Sequence, residues 1–241
     1  MRMQAWGSSD KGLKREGNQD SYLIDDRLGV FIVADGVGGH FGGEVASALA
    51  VETVREVVNH PKAAEFRPRE VLAQAYEEAS HRIFDRATQE PKLNGMGTTM
   101  VMSYVRDNKI YIANVGDSRC YLYRKPFLWQ LTEDHSLINE QVRLGMMTEE
   151  QAKKMIGKNV ITRSVGFERD VFPDVIEREI SSGDIFLFCS DGLSGMVPDN
   201  ELCSIFNLNP VDKVVPIMIK KALDHGGDDN VTVLVLNFHD V

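Results

Sequence analysis

Three cysteines, Cys120, Cys189 and Cys203, are spread over 241 residues without a C-x-x-C pair. Their scarcity and spacing exclude a disulfide framework and a zinc site built on cysteine. Two of them fall inside apolar runs, YIANVGDSRCYLY and IFLFCSDG, where a free thiol behaves as a small core residue. No apolar run approaches the roughly 20 residues that span a bilayer. The N-terminal MRMQAWGSSDKGLKREGNQD lacks the apolar stretch of a secretory signal, so the expectation is a cytoplasmic protein. Positive charge is also short: 27 Lys and Arg stand against 36 Asp and Glu, a net charge of −9. Nucleic acid and anionic membrane are poor partners for such a surface.

Several phosphate-handling signatures are missing as well. There is no G-x-x-x-x-G-K-[ST], which excludes a P-loop. The glycines between 36 and 43 fit G-x-G-x-x-G in no register, which argues against a dinucleotide site. No cysteine has the preceding histidine and following arginine of a cysteine-nucleophile phosphatase.

What is present is ordinary globular material, 43% hydrophobic and 26% charged, with no repeat and no low-complexity linker. One domain over residues 1–241 is expected. Strands are expected at DSYLIDD and GVFIVAD, around residues 20–25 and 29–35. A helix is expected from about Gly43 to Asn59, where Val45, Leu49, Val51, Val54 and Val58 recur at helical spacing. A second starts near Pro68, a residue suited to a first helical turn, with Val71, Leu72, Ala75, Tyr76, Ala79 and Ile83 on one face. TTMVMSYVR, KIYIANVG, SRCYLYR and FLWQLT read as strands joined by connections short enough for antiparallel hairpins. Residues 136–156 read as irregular helix. Strands follow at NVITRSVG, VIEREI and DIFLFCSD, then helices over 199–206 and 210–224, then a closing strand NVTVLVLNF. Long strands and paired helices without strict alternation argue for an α+β layered fold.

The acids fall in a telling place. Asp35 ends FIVAD, Asp191 ends IFLFCSD, Asp117 follows YIANVG, Asp229 stands directly before NVTVLVL and Asp20 precedes SYLI. Asp-Gly is also a common turn dipeptide, which explains any one of these singly. That explanation weakens at Asp35, where a glycine-rich loop leads into a helix rather than into a second strand. If such acids converge they must protonate or bind cations, because two unit charges ~4 Å apart repel by about 4 kcal/mol at an effective dielectric of about 20. All-oxygen donors without a His or Cys set select hard ions such as Mg²⁺ or Mn²⁺. Two such ions, about 3.5–4 Å apart, can hold a hydroxide for in-line displacement at phosphorus.

With these residues the chain resembles the metal-dependent Ser/Thr protein phosphatases of type 2C, in their compact bacterial form. The resemblance runs through SDKGLKREGNQD (9–20), VADGVGGHFGGEVAS (33–47), GMGTT (95–99), NVGDSR (114–119), LTEDHS (131–136), NVITRSVG (159–166), SDGL (190–193) and GGDDNVT (226–232). It implies a four-layer α-β-β-α sandwich, with two antiparallel sheets between helices and the site at one edge. It further implies that Asp35 bridges two central metals, that the Gly36 carbonyl contacts one, and that Asp191 and Asp229 complete the first. Asp20 would serve the second metal, directly or through water. Asp117 with Asp191 would hold a third, weaker one. Arg15 falls at the family's phosphate-binding arginine, a role suited to a guanidinium that takes two phosphate oxygens at once. His40 is the candidate general acid for the departing oxygen, with a structural role for its ring, or water as the acid, as alternatives. His135 reads as structural.

The implied activity is hydrolysis of phosphoserine and phosphothreonine in proteins by direct attack of a metal-bridging hydroxide. The implied partners are phosphorylated substrates of a Ser/Thr kinase, with the phosphatase itself a monomer. Gln19 departs from distant relatives that have a metal-ligating glutamate there. Residues 137–158, a flap over the site in relatives, match the family poorly. A non-catalytic phosphoprotein-binding module on the same fold is the rival from another class. It predicts loss of one or more of the five aspartates, all of which are present. A phosphatase of small phosphate esters is the nearer alternative.

Overall fold

The computed structural model describes residues 2–156 and 160–240, with residues 39–41, 149 and 153 described by backbone alone. One sheet contains β1 (Arg2–Asp10), β7 (Arg119–Arg124), β8 (Phe127–Gln130), β10 (Ile185–Cys189) and β11 (Val231–His239), in the order β1-β11-β10-β7-β8. The other contains β2 (Asp20–Asp25), β3 (Val30–Val37), β5 (Met100–Arg106), β6 (Lys109–Val115) and β9 (Asp174–Glu179), in the order β2-β3-β5-β6-β9. The short β4 (Gly97–Thr98) pairs with the end of β3. All these pairings are antiparallel.

The alternation of side chains along β3 shows how the layers arise. Val30 and Ile32 point to a core beneath the helices, whereas Phe31 and Val33 point to a core between the sheets. A strand covered on both faces must be apolar at every position, and VFIVA is. Helices α1 (Gly39–Asn59) and α2 (Pro68–Gln89) cover this sheet. On α2 the buried stripe is Val71, Leu72, Ala75, Tyr76, Ala79 and Ile83, and each large apolar side chain on it contributes about 1.5–3 kcal/mol of burial. The buried Tyr76 hydroxyl lies within hydrogen-bond reach of the Met100 and Ala113 carbonyl oxygens, at 2.8 and 2.9 Å. The other sheet is covered by α6 (Asp199–Leu208) and α7 (Val211–Asp224), beside the single turn α5 (Asp191–Ser194). The result is the four-layer α-β-β-α sandwich.

Three local expectations need correction. Residues 2–10 form β1, an edge strand whose polar, half-exposed sequence hides the strand period. Helix α1 begins at Gly39 rather than Gly43, inside the glycine run. NVITRSVG is not a strand where it is described: Ile161 and Val165 make only isolated bridges, to Ser136 and Thr98. Its first residue, Asn159, lies outside the described residues. The segment expected as a flap carries two short helices, α3 (Leu137–Arg143) and α4 (Glu149–Met155), and its residues 157 and 158 lie outside the described residues. Among the described residues no helix is long and apolar enough to cross a membrane.

Candidate metal centre

At one end of the sandwich the two sheets deliver acids to the same place. Asp20 and Asp35 face each other across the β2–β3 ladder of one sheet. Asp191 follows β10 and Asp229 precedes β11, adjacent strands of the other sheet. Asp117 sits on the turn between β6 and β7, where the chain passes from one sheet to the other. A cavity of about 370 Å³ is lined by Arg15, Asp35, Gly36, Asp117, Asp191 and Asp229, among others. Acids as far apart in sequence as Asp35 and Asp229 thus share one cavity, an arrangement that antiparallel pairing produces because strand ends of opposite direction meet at one edge.

The backbone around Asp35 is tightly held. Its N–H donates to Thr99 Oγ1 at 3.2 Å, and its carbonyl accepts from Thr98 Oγ1 at 2.9 Å and from the Thr99 N–H at 2.8 Å. Thr99 Oγ1 also lies 2.7 Å from Ser118 Oγ, next to Asp117, so the two acidic turns are tied together. Gly36 can only be glycine: a Cβ there would stand 2.0 Å from the Gly43 carbonyl oxygen and 2.7 Å from that of Gln19.

Asp20 is oriented by two hydroxyls. Ser190 Oγ and Thr232 Oγ1 donate to its Oδ2 at 2.8 and 2.6 Å. Its other oxygen, Oδ1, is buried without a hydrogen-bond partner, and so is Asp191 Oδ1. Asn230 joins the N-terminal loop to the start of β11. Its Oδ1 accepts from the Gln19 N–H at 2.8 Å, and its Nδ2 donates to the Lys11 and Gly17 carbonyls at 2.8 and 2.9 Å. That loop carries Arg15, whose guanidinium donates to Asp229 Oδ2 at 2.6 Å.

The electrostatics follow from this crowding. Burial pushes Asp20 up to about 7, with the charges of Asp191 and Asp229 adding to it and the hydroxyls of Thr232 and Ser190 holding it back. Burial, then the charges of Asp191 and Asp134, brings Asp117 to about 7. Asp35 is driven well above the usual carboxylate range by burial and by the four neighbouring acids. Asp191 is raised by burial and by Asp229, against the pull of a hydrogen bond from Asp35 and the charge of Arg15.

Among the described residues no three acids are already drawn into a closed metal cage. Arg15 holds Asp229, and Asp20 has one oxygen turned to its hydroxyl donors. The donor set nevertheless fits a hard divalent cation. Two buried carboxylate oxygens lack partners, every candidate ligand is oxygen, and burial with mutual repulsion makes Asp20, Asp35 and Asp117 poor bare anions that a cation would stabilise.

A model of the protein phosphatase 2C family matches residues 2–231 of the chain. The chain belongs to that family. It is 37% identical over 241 residues to the serine/threonine phosphatase stp of Listeria monocytogenes, covering 97% of this chain and 95% of that one. The crystal structure of the serine/threonine phosphatase PstP from Mycobacterium tuberculosis superposes with a TM-score of 0.90 at 33% identity, over 99% of both chains. A crystal structure of the PstP catalytic domain in complex with two manganese ions superposes with a TM-score of 0.88 at 33% identity, over 99% of both chains.

The structure therefore brings Asp35, Gly36, Asp117, Asp191, Asp229 and Arg15 together around one cavity, with Asp20 behind it. Of His40 only the backbone, in the first turn of α1, is described; its side chain lies outside the described residues. His135 is buried, its Nδ1 accepting from the Gly116 N–H at 3.0 Å and its Nε2 lying 3.0 Å from Asp174. It thereby braces the turn that carries Asp117. Sequence reasoning missed Thr98, Thr99, Ser190, Asn230 and Thr232. Ser190 adjoins Asp191, and Asn230 and Thr232 follow Asp229 by one and three residues, so a polar side chain that close to a strand-end acid is the signal that could have found these three; Thr98 and Thr99, in GMGTT, have no acid nearby to flag them.

Proposed function

We propose that this chain is a Mg²⁺- or Mn²⁺-dependent protein phosphatase that hydrolyses phosphoserine and phosphothreonine. The observation that carries the reading is the convergence of five aspartates, from both sheets, on one end of the sandwich with two unpartnered buried oxygens. The PstP structure with two manganese ions supports the same ligand chemistry here.

In this reading Asp35, the Gly36 carbonyl, Asp191 and Asp229 would hold the central ions, Asp20 would serve the second, and Asp117 with Asp191 would offer a weaker third site. Divalent cations, when bound, supply the positive charge that neutralises phosphoryl oxygens and brings the pKa of water towards neutrality. Thr98 and Thr99 fix the Asp35 backbone and so the position from which its carboxyl projects. Ser190 and Thr232 occupy one oxygen of Asp20 and leave the other for ligation. Arg15 takes two phosphate oxygens, a geometry lysine cannot supply. It stands at the cavity rim beside Asp229, so phosphate and cation sites adjoin. A water that gives up a proton to solvent attacks phosphorus through its oxygen, the bond to the serine or threonine oxygen breaks, and that oxygen takes a proton from His40, which regains one from solvent, or directly from water.

No enzyme thiol serves as nucleophile in this scheme. Cys120 and Cys189 are buried in the cores, and burial holds the Cys189 thiol up at about 12. Cys203 donates to the Pro126 carbonyl, far from the cavity lining.

The chain acts as a single catalytic domain and as a monomer in the cytoplasm, on proteins phosphorylated by a Ser/Thr kinase. The test is turnover of a phosphothreonine peptide. Activity should vanish in excess chelator and return with Mn²⁺; turnover that persists in chelator would remove the metal from the reaction.

A further inference from the structure

Beside the aspartate cavity lies a larger one, of about 690 Å³, that the chemistry above does not use. Val37 and Ile161 line both, so the two adjoin. The far wall of the second cavity is a loop bearing Phe167 and Phe172, whose side chains are exposed (63% and 79% of each residue). Two exposed aromatic residues in the lining of one cavity make an apolar patch of the kind that marks a binding surface.

This wall is built, not loose. Ser80 Oγ on α2 accepts from the Gly166 N–H at 2.9 Å and donates to the Glu168 carbonyl at 2.8 Å. Arg169 pairs with Asp85 at 2.9 Å and His81 with Asp170 at 3.2 Å, again from α2. Arg163 donates to the Phe172 carbonyl and to Asp174. The aromatic rings are thus presented from a loop pinned at both ends. Glu168 and Asp170 add negative charge to the same lining, and both are exposed.

We propose that this second cavity is a subsite for the substrate polypeptide, seating an apolar side chain within three residues of the phosphorylated one. The inference rests on the phosphatase reading. A substrate chain whose phosphate lies among the aspartates must leave over a neighbouring surface, and an extended chain advances about 3.3 Å per residue. Its next few residues therefore reach the wall shared through Val37 and Ile161. An apolar side chain there covers Phe167 and Phe172.

The experiment compares phosphothreonine peptides with alanine at all flanking positions against peptides with one leucine placed at each position within three residues. p-Nitrophenyl phosphate, which has no flanking residues, serves as the reference. The wild type should favour leucine at one or two positions by about tenfold in kcat/KM, seen as lower KM. Phe167→Ala and Phe172→Ala should each reduce that preference and together erase it, with p-nitrophenyl phosphate turnover unchanged. Indifference of the wild type to every flanking leucine, while it still hydrolyses p-nitrophenyl phosphate and the peptides, would overturn the subsite and leave the phosphatase standing. A leucine preference that survives the double variant would also overturn it. No hydrolysis of any phosphorylated compound by the Mn²⁺-loaded wild type would overturn both readings.

Discussion

Stripping the metal and raising the pH should weaken this protein through its own aspartates. Asp20 and Asp117 sit near 7 in the folded, metal-free chain, against 3.8 for an ordinary aspartate. Between those values the folded state keeps protons that the unfolded chain has released. Stability is therefore fully present below pH 4 and is lost as pH rises through about 7, at up to about 1.4 kcal/mol per pH unit for each group. From pH 5 to pH 7 each of the two loses about 2 kcal/mol, and the pair about 4. Asp35 and Asp191, raised by burial and then by their neighbouring acids, act in the same direction. For a chain of this length 4 kcal/mol corresponds to roughly 10–15 °C in Tm. Thermal unfolding in excess chelator at pH 5, 6 and 7 measures it, with a parallel series in saturating Mn²⁺. The metal-free Tm should fall across the series, and the gain from Mn²⁺ should be largest at pH 7, because cations replace protons at the same oxygens. A metal-free Tm that stays level or rises from pH 5 to pH 7 would refute the claim that burial and mutual repulsion raise these acids.

Two substitutions probe the surrounding residues. Thr232→Val removes a hydroxyl that donates to Asp20 and should weaken Mn²⁺ binding about 10- to 100-fold, while kcat at saturating Mn²⁺ stays close to normal; a metal titration followed by activity decides it. Arg15→Ala should chiefly raise KM for a phosphopeptide, because its phosphate contact exists before and during reaction, and Arg15→Lys should not restore it. A large fall in kcat at unchanged KM would contradict that role.

Much of this arrangement was legible in the sequence because the physics is local. VFIVAD and IFLFCSD announce strands buried on both faces, and an acid ending such a strand is conspicuous. The stripe on α2 was legible for the same reason: Leu72, Tyr76, Ala79 and Ile83 recur at helical spacing. β1 was not, since RMQAWGSSD is an edge strand stabilised by its ladder with β11 rather than by an apolar period of its own. The first turn of α1 was hidden because Gly39, Gly42 and Gly43 are poor helix formers; Gly42 lies close against Met96 and Gly43 against Gly36. ITRSV has the β-branched composition of a strand, yet tertiary context spends it on isolated bridges that frame the site. The acids could be named from sequence because few roles suit them there. The hydroxyls of Thr99, Ser190 and Thr232 could not, because serine and threonine are common in loops and only their distances to Asp35 and Asp20 distinguish them.

The most direct measurement is Mn²⁺ binding to the intact chain and to Asp35→Asn, by titration calorimetry with the fold of both checked by circular dichroism. Two or more ions should bind the native chain, and the tight ones should be lost when a single oxygen of residue 35 becomes an amide. Equal stoichiometry and affinity in the two proteins would contradict the assignment of these strand-end carboxylates as the metal's cradle.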